Sequence, residues 1–188
     1  MTYLKSYNNI KNICADSLKK GNVIIVPTDT VYGFSGIVDD KYNTAEIIRN
    51  IKGRSESKSF IQLIANPEDI KKYTNDFIPQ KLLSLWPGPL TIIVNSSKSN
   101  ETIAFRCPGD KWIRDIIQET GKPIFSTSVN RSGEMILDTE SSIINEFEKS
   151  VDFIVLDGDK KNSLPSTIIK LIDNKWTVMR QGAVIIED

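Results

Sequence analysis

Val23-Ile24-Ile25-Val26-Pro27-Thr28-Asp29-Thr30-Val31-Tyr32-Gly33 opens on four consecutive β-branched residues and runs into a polar turn. An apolar run with no alternation reads as a strand buried on both faces, and Pro27, which has no N–H for a ladder, closes it. In open α/β sheets, ligands bind beyond the carboxyl end of such a strand. The hydroxyls of Thr28 and Thr30 and the exposed N–H groups of the turn suit a small polar molecule, although the same residues also satisfy an ordinary strand-to-turn connection.

The periodicity on either side is helical. Before the strand, Ile10, Ile13, Cys14 and Leu18 recur at helix spacing across Asn8 to Lys20, with Gly21 as the stop. After it, Ala45, Ile47, Ile48 and Ile51 predict a second helix ending near Gly53, and Phe60 to Ile64 a second strand. Further along, Pro67 to Tyr73 and Pro79 to Leu85 read as short helices with proline near the start. Trp86-Pro87-Gly88-Pro89 reads as a rigid turn. Leu90 to Val94, Thr102 to Arg106, Pro123 to Ser126, Phe153 to Leu156, Thr167 to Ile172 and Trp176 to Met179 read as strands, with helices over Trp112 to Thr120 and Glu140 to Lys149. Helices and strands intermingle without a linker, repeat or low-complexity tract, so the expectation is one α/β domain over 1–188, built on a mixed sheet flanked by helices.

The composition excludes whole classes of chemistry. There is no histidine among the 188 residues, which removes Ser-His-Asp hydrolysis, Cys-His nucleophiles, His-ligated zinc and imidazole proton shuttles. Cys14 and Cys107 form no C-x-x-C pair and read as buried free thiols. No apolar stretch approaches the roughly 18 to 20 residues a membrane span needs, and Met1 to Lys11 carries no signal-peptide core, so a cytoplasmic protein is expected. With 24 basic and 24 acidic residues, the chain carries no overall field for a nucleic-acid backbone. Charge is nonetheless uneven: Arg49, Lys52, Arg54 and Lys58 stand within ten residues beside the single acid Glu56.

Several further segments carry anion-binding chemistry. Lys52-Gly53-Arg54, with Lys58 four residues on, combines a planar fork and mobile ammonium groups, although basic residues and glycine also favour any helix C-terminus. Thr102-Ile103-Ala104-Phe105-Arg106 alternates, placing Thr102, Ala104 and Arg106 on one face, where an arginine is costly unless that face lines a wet pocket. Ser126-Thr127-Ser128-Val129-Asn130-Arg131-Ser132-Gly133 ends a strand in hydroxyls and an amide suited to phosphate or ribose oxygens, or to a plain Asn/Ser turn. Ser166-Thr167 and Arg180-Gln181-Gly182 repeat the theme. Neither G-x-x-x-x-G-K-[ST] nor G-x-G-x-x-G occurs, and the G-x-x-G of Gly33 to Gly36 lacks the basic residues of an RNA-binding KH loop.

Taken in order and spacing, the segments Pro27 to Gly33, Lys52-Gly53-Arg54, Trp86-Pro87-Gly88-Pro89-Leu90-Thr91, Ser126 to Gly133, and Ser166-Thr167 through Arg180-Gln181-Gly182 resemble the YrdC-like domain of threonylcarbamoyl-AMP synthases over almost the whole chain. The resemblance implies a twisted mixed sheet flanked by helices with a concave electropositive cavity. It implies a nucleotidyltransferase that joins L-threonine, bicarbonate and ATP into threonylcarbamoyl-AMP and pyrophosphate for tRNA threonylcarbamoyladenosine formation. By the same resemblance, Thr30, Arg106, Ser126 and Ser166 hold threonine. Arg54, Lys58, Thr102, Ser128, Asn130 and Arg180 hold ATP, with Lys52 and Arg54 as catalytic residues. Magnesium is expected with ATP, and tRNA and other tRNA-modification proteins as partners, with double-stranded RNA binding.

That chemistry asks for no histidine. Threonine's amine adds to bicarbonate-derived carbon dioxide and the carbamate oxygen attacks the α-phosphorus, so positioning and charge neutralisation suffice. Two other readings are a non-catalytic RNA-binding module and a paralogue with a different carbamoyl or adenylate chemistry. The chain departs from the family at Ser55, where proline is common, at Leu63, where some members carry a threonine-contacting histidine, and at Ile136, where a serine faces ATP. Only six residues follow Gly182, which corresponds to the short form of the family.

Overall fold

A computed structural model describes residues 1–53, 59–172 and 175–186. Ten strands form one sheet: β1 (Thr2–Leu4), β2 (Ile24–Val26), β3 (Gly33–Ile37), β4 (Ile61–Leu63), β5 (Leu90–Asn95), β6 (Thr102–Arg106), β7 (Ile124–Ser128), β8 (Ile154–Leu156), β9 (Thr167–Ile172) and β10 (Lys175–Arg180). Their order is β1-β8-β2-β3-β7-β4-β6-β5-β9-β10. Parallel pairs (β1 with β8, β2 with β8, β4 with β6, β5 with β9) mix with antiparallel ones, as the interspersed helices and strands predict. The helices are α1 (Ile10–Lys19), α2 (Thr44–Lys52), α3 (Gln80–Leu83), α4 (Lys111–Thr120) and α5 (Glu140–Phe147), with a 3-10 turn over Pro67–Lys72. No helix among the described residues is long and apolar enough to cross a membrane.

Two strands escape the sequence reading. β1 is a three-residue edge strand with only one inward side chain, too short to show alternation. β3 carries two glycines and a serine in five residues, a composition depleted in strands, yet all five are buried. Phe34 explains why the segment nevertheless pairs on both sides. Its ring is fully buried and meets Phe147 edge-on, with centroids 4.9 Å apart and planes at 85°, so one side chain anchors β3 to α5.

Three apolar clusters divide the work. α1 and α4 pack over one end of one sheet face, with Ile24, Val26, Leu63 and Ile124 beneath them. On the opposite face, α5 and α2 cover Ile25, Phe34 and Ile154, and the segment around Ile70 to Trp86 covers Ile92, Phe105 and Ile169. Among the described residues, one face is therefore covered along its length, whereas the other is covered at only one end. Cys14 and Cys107 are both buried, which pushes their thiols up to about 12 and leaves them protonated near neutrality.

Phe34→Ala removes the anchor of a strand that has little other side-chain mass. It is expected to destabilise the fold by about 3–5 kcal/mol, read as a lowered urea midpoint with an unchanged slope.

Candidate active site

The uncovered end of the first face is a cavity of about 620 Å³. Its floor follows from register. Ser126, Ile61, Ala104 and Ile93 stand side by side across β7, β4, β6 and β5, and alternation adds Ser128, Thr102 and Arg106 to the same face. The loop after β2 brings Thr28 and Thr30 to one wall, and the start of β9 with the end of β10 brings Ser166 and Arg180 to another. Seven residues singled out in the sequence thus line one space: Thr30, Thr102, Arg106, Ser126, Ser128, Ser166 and Arg180. Arg54 and Lys58 lie outside the described residues.

Arg106 is the buried cation of the site, only 5% exposed. Its Nη2 donates to Asp29 Oδ1 at 2.6 Å, its Nη1 to Thr30 Oγ1 at 2.9 Å and its Nε to the Gly88 carbonyl at 3.1 Å. The Trp86-Pro87-Gly88-Pro89 turn thus supplies an acceptor for the arginine; its Trp86–Pro87 bond is cis. Burial lowers the guanidinium's pKa and the Asp29 carboxylate opposes that. Three of five N–H groups are spent, so two remain for an anion entering the cavity. The second Asp29 oxygen accepts from the Gly109 N–H at 2.8 Å. Nothing in the sequence pairs Asp29 with a residue 77 positions away, and this partner was missed.

Hydroxyl chemistry is equally directional. Thr28 donates to the Val31 carbonyl at 2.8 Å, so in its 3.0 Å contact with Thr30 it accepts. Thr30 accepts from Arg106 in turn and keeps one lone pair. Ser166 Oγ lies 2.8 Å from Thr91 Oγ1, deep in the wall. Arg180 donates to the Ser166 carbonyl from Nη2 at 2.8 Å and from Nε at 3.3 Å. Among the described residues it has no carboxylate partner. Burial, and then the charge of Arg106, lower its pKa. Among the described residues, two guanidinium groups therefore line one space and one carboxylate, Asp29, is paired with them, through Arg106, an arrangement that suits an anion.

Lys52 and Asn130 stand behind the wall rather than on it. Lys52 is 4% exposed, and its ammonium donates to the Ser128 carbonyl at 2.6 Å, the Asn130 carbonyl at 2.9 Å and Asn130 Oδ1 at 3.0 Å. Ser128 Oγ donates to the same Asn130 oxygen at 2.8 Å. Arg131 Nη1 donates to the Ile51 carbonyl at 2.7 Å and the Ser132 N–H to the Lys52 carbonyl at 2.9 Å. The last turn of α2 is thereby fastened to the loop after β7, and Gly53, with φ of 64°, ends the helix there in the left-handed region that glycine favours. Apolar lining comes from Ile61 and Ile93 on the floor and from Ile136, Pro165, Ile168 and Met179. Leu63, by contrast, is fully buried beneath α1 and α4 and stays out of the cavity.

The described residues offer no cluster of three or more acids or thiols to grip a metal, and both Asp29 oxygens are already bonded. The described residues therefore offer no carboxylate cage for magnesium.

The sequence profile of the Sua5/YciO/YrdC family, described as telomere recombination, matches residues 16–182. The chain belongs to the Sua5/YciO/YrdC family. A relative from Methanocaldococcus jannaschii, provisionally named a threonylcarbamoyl-AMP synthase, is 32% identical over 175 residues, spanning 89% of this chain and 83% of its own. The threonylcarbamoyl-AMP synthase of Pseudoalteromonas translucida is 30% identical over 171 residues, spanning 84% of this chain and 91% of its own. The solved structure of Pyrococcus abyssi Sua5 complexed with L-threonine is 25% identical, with a TM-score of 0.84 over 97% of this chain and 57% of that one. This family member therefore spans a little over half of that longer protein.

Asp29→Ala leaves the buried Arg106 charge without its counter-ion. Its cost is expected at about 3 kcal/mol in chemical denaturation, the low end for a buried pair because cavity water reaches the guanidinium. Asp115→Ala, which removes a surface partner of Lys11 and Lys111, is expected to cost under about 1 kcal/mol.

Proposed function

We infer that this chain is an L-threonylcarbamoyladenylate synthase, a nucleotidyltransferase that acts on L-threonine, bicarbonate and ATP. The observation that carries the reading is the convergence of Arg106, Arg180 and a set of hydroxyls on one cavity, in a member of a family whose named relatives are threonylcarbamoyl-AMP synthases. A cytoplasmic enzyme working for tRNA modification is the matching biology.

Each group has a task in this scheme. The unspent N–H groups of Arg106, one on Nη1 and one on Nη2, take the threonine carboxylate, while Asp29 keeps the guanidinium from swinging. Thr30, Ser126 and Ser166 orient the amine end. The amine adds to bicarbonate-derived carbon dioxide, giving a carbamate and releasing a proton to solvent. A carbamate oxygen then attacks the α-phosphorus of ATP, the bond to the β-phosphate oxygen breaks, and pyrophosphate leaves. Arg180 neutralises phosphate charge, with Thr102 and Ser128 on the nucleotide and Arg54 and Lys58 as further phosphate ligands. Lys52 and Asn130 act by holding Ser128 and the end of α2 in place. Magnesium enters bound to the nucleotide, as part of the substrate.

No base is required from the protein once amine and phosphorus are aligned, which matches a cavity that holds cations and hydroxyls but no imidazole.

Purified protein given threonine, bicarbonate and MgATP is expected to release pyrophosphate in a threonine-dependent manner, and absence of that dependence overturns the assignment. Arg180→Ala is expected to raise the KM for ATP by about tenfold or more, the scale of one lost charge-assisted contact, with a smaller effect on threonine.

A further inference from the structure

The Ser126 hydroxyl leans toward the one position on β3 that has no side chain. A Cβ at Gly33 would lie 2.9 Å from Ser126 Oγ, closer than real Cβ contacts allow, with the Thr127 carbonyl next at 3.5 Å. Gly33 sits in extended strand backbone that any residue adopts, so it is this close approach that requires glycine. In register, Gly33 stands opposite Ser128, and Ser126 stands opposite Ser35. Gly33, Ser35 and Ser126 all face the same side of the sheet. The Ser126 hydroxyl nevertheless lies beside its diagonal neighbour, not its direct one. Ser35 Oγ, fully buried, is left without a hydrogen-bond partner, and no described group bonds Ser126 Oγ either.

The buried Ser35 hydroxyl is the costly one, because Ser126, directly opposite, lines the open cavity; a different staggered rotamer of Ser126 turns its hydroxyl away from Gly33 and toward Ser35. The open volume over Gly33 permits the other rotamer, in which Ser126 projects into the cavity with its donor and lone pairs unspent.

We propose that Gly33 and Ser35 are positioning residues that set the orientation of Ser126 toward the amino-acid substrate. Gly33 vacates the space the hydroxyl occupies in its cavity-facing state, and Ser35 is the partner it turns to when that space is filled. The role for the amino acid rests on the synthase reading above; the rotamer statement does not.

The test is Gly33→Ala, examined by crystallography and by steady-state kinetics. The added methyl meets only the tip of a short side chain, so folding is expected to be nearly unchanged. In the variant structure, Ser126 Oγ is expected within hydrogen-bond distance of Ser35 Oγ. The KM for threonine is expected to rise about tenfold, the scale of one lost hydrogen bond, while the KM for ATP stays within about twofold. Gly33→Ala combined with Ser126→Ala is expected to be no worse than Ser126→Ala alone. Adding Ser35→Ala to Gly33→Ala is expected to recover part of the threonine affinity.

A Ser126 hydroxyl that keeps its place in Gly33→Ala overturns the proposal, as does an additive loss in the double variant or an equal rise in both KM values. Wild-type protein with no threonine-dependent pyrophosphate release overturns the synthase reading instead, and the variant's structure still decides the rotamer statement.

Discussion

A positive charge kept on the floor of a cavity, between a carboxylate and a backbone carbonyl, is the constraint around which this site is arranged. Arg106 sits on a central strand, where leaving it unpaired would cost several kcal/mol. Its three bonds come from two separate places: Asp29 and Thr30 on the loop after β2, and Gly88 in the turn before β5. Because each partner is engaged elsewhere, Asp29 through the Gly109 N–H and Thr30 through Thr28, fixing the guanidinium also fixes the two loops. Two N–H groups of this cavity-lining guanidinium remain unspent.

A second constraint works from behind. Lys52 is buried among carbonyl oxygens at the junction of α2 and the loop after β7, where it holds the backbone of Ser128 and Asn130. The ammonium acts as a three-way tie that shapes Ser128 and Asn130. The order along the chain, a basic residue at a helix end and a serine and asparagine 76 to 78 residues later, is legible only as a pattern of residue types until the fold brings them together.

Much of the fold was readable because its strands are either continuous apolar runs, such as Val23 to Val26, or clean alternations, such as Thr102 to Arg106. The latter also places Arg106 and Thr102 on one face by alternation alone. β3 was not readable, because its burial comes from neighbours on both sides while its own glycines serve the site, so local propensity and tertiary role point in opposite directions. Asp29 was visible as a turn residue, but ion pairing across 77 positions leaves no local trace. Leu63, read as a position without a threonine contact, indeed stays out of the cavity and belongs to the core beneath α1 and α4; the burial of Lys52 among carbonyl oxygens has no local trace, because its partners lie 76 to 78 residues away.

On β6, successive residues serve opposite masters: Ala104 and Arg106 face the cavity, while Ile103 and Phe105 press into the apolar cluster behind. The binding surface is thus the back of a load-carrying beam. Occupancy of the cavity should slow hydrogen exchange of amides in β4, β6 and β7 and raise the free energy of global unfolding with ligand concentration. Natural variation that reshapes the floor will be filtered by foldability, leaving the apolar rim at Ile136, Pro165 and Met179 as the part free to diverge.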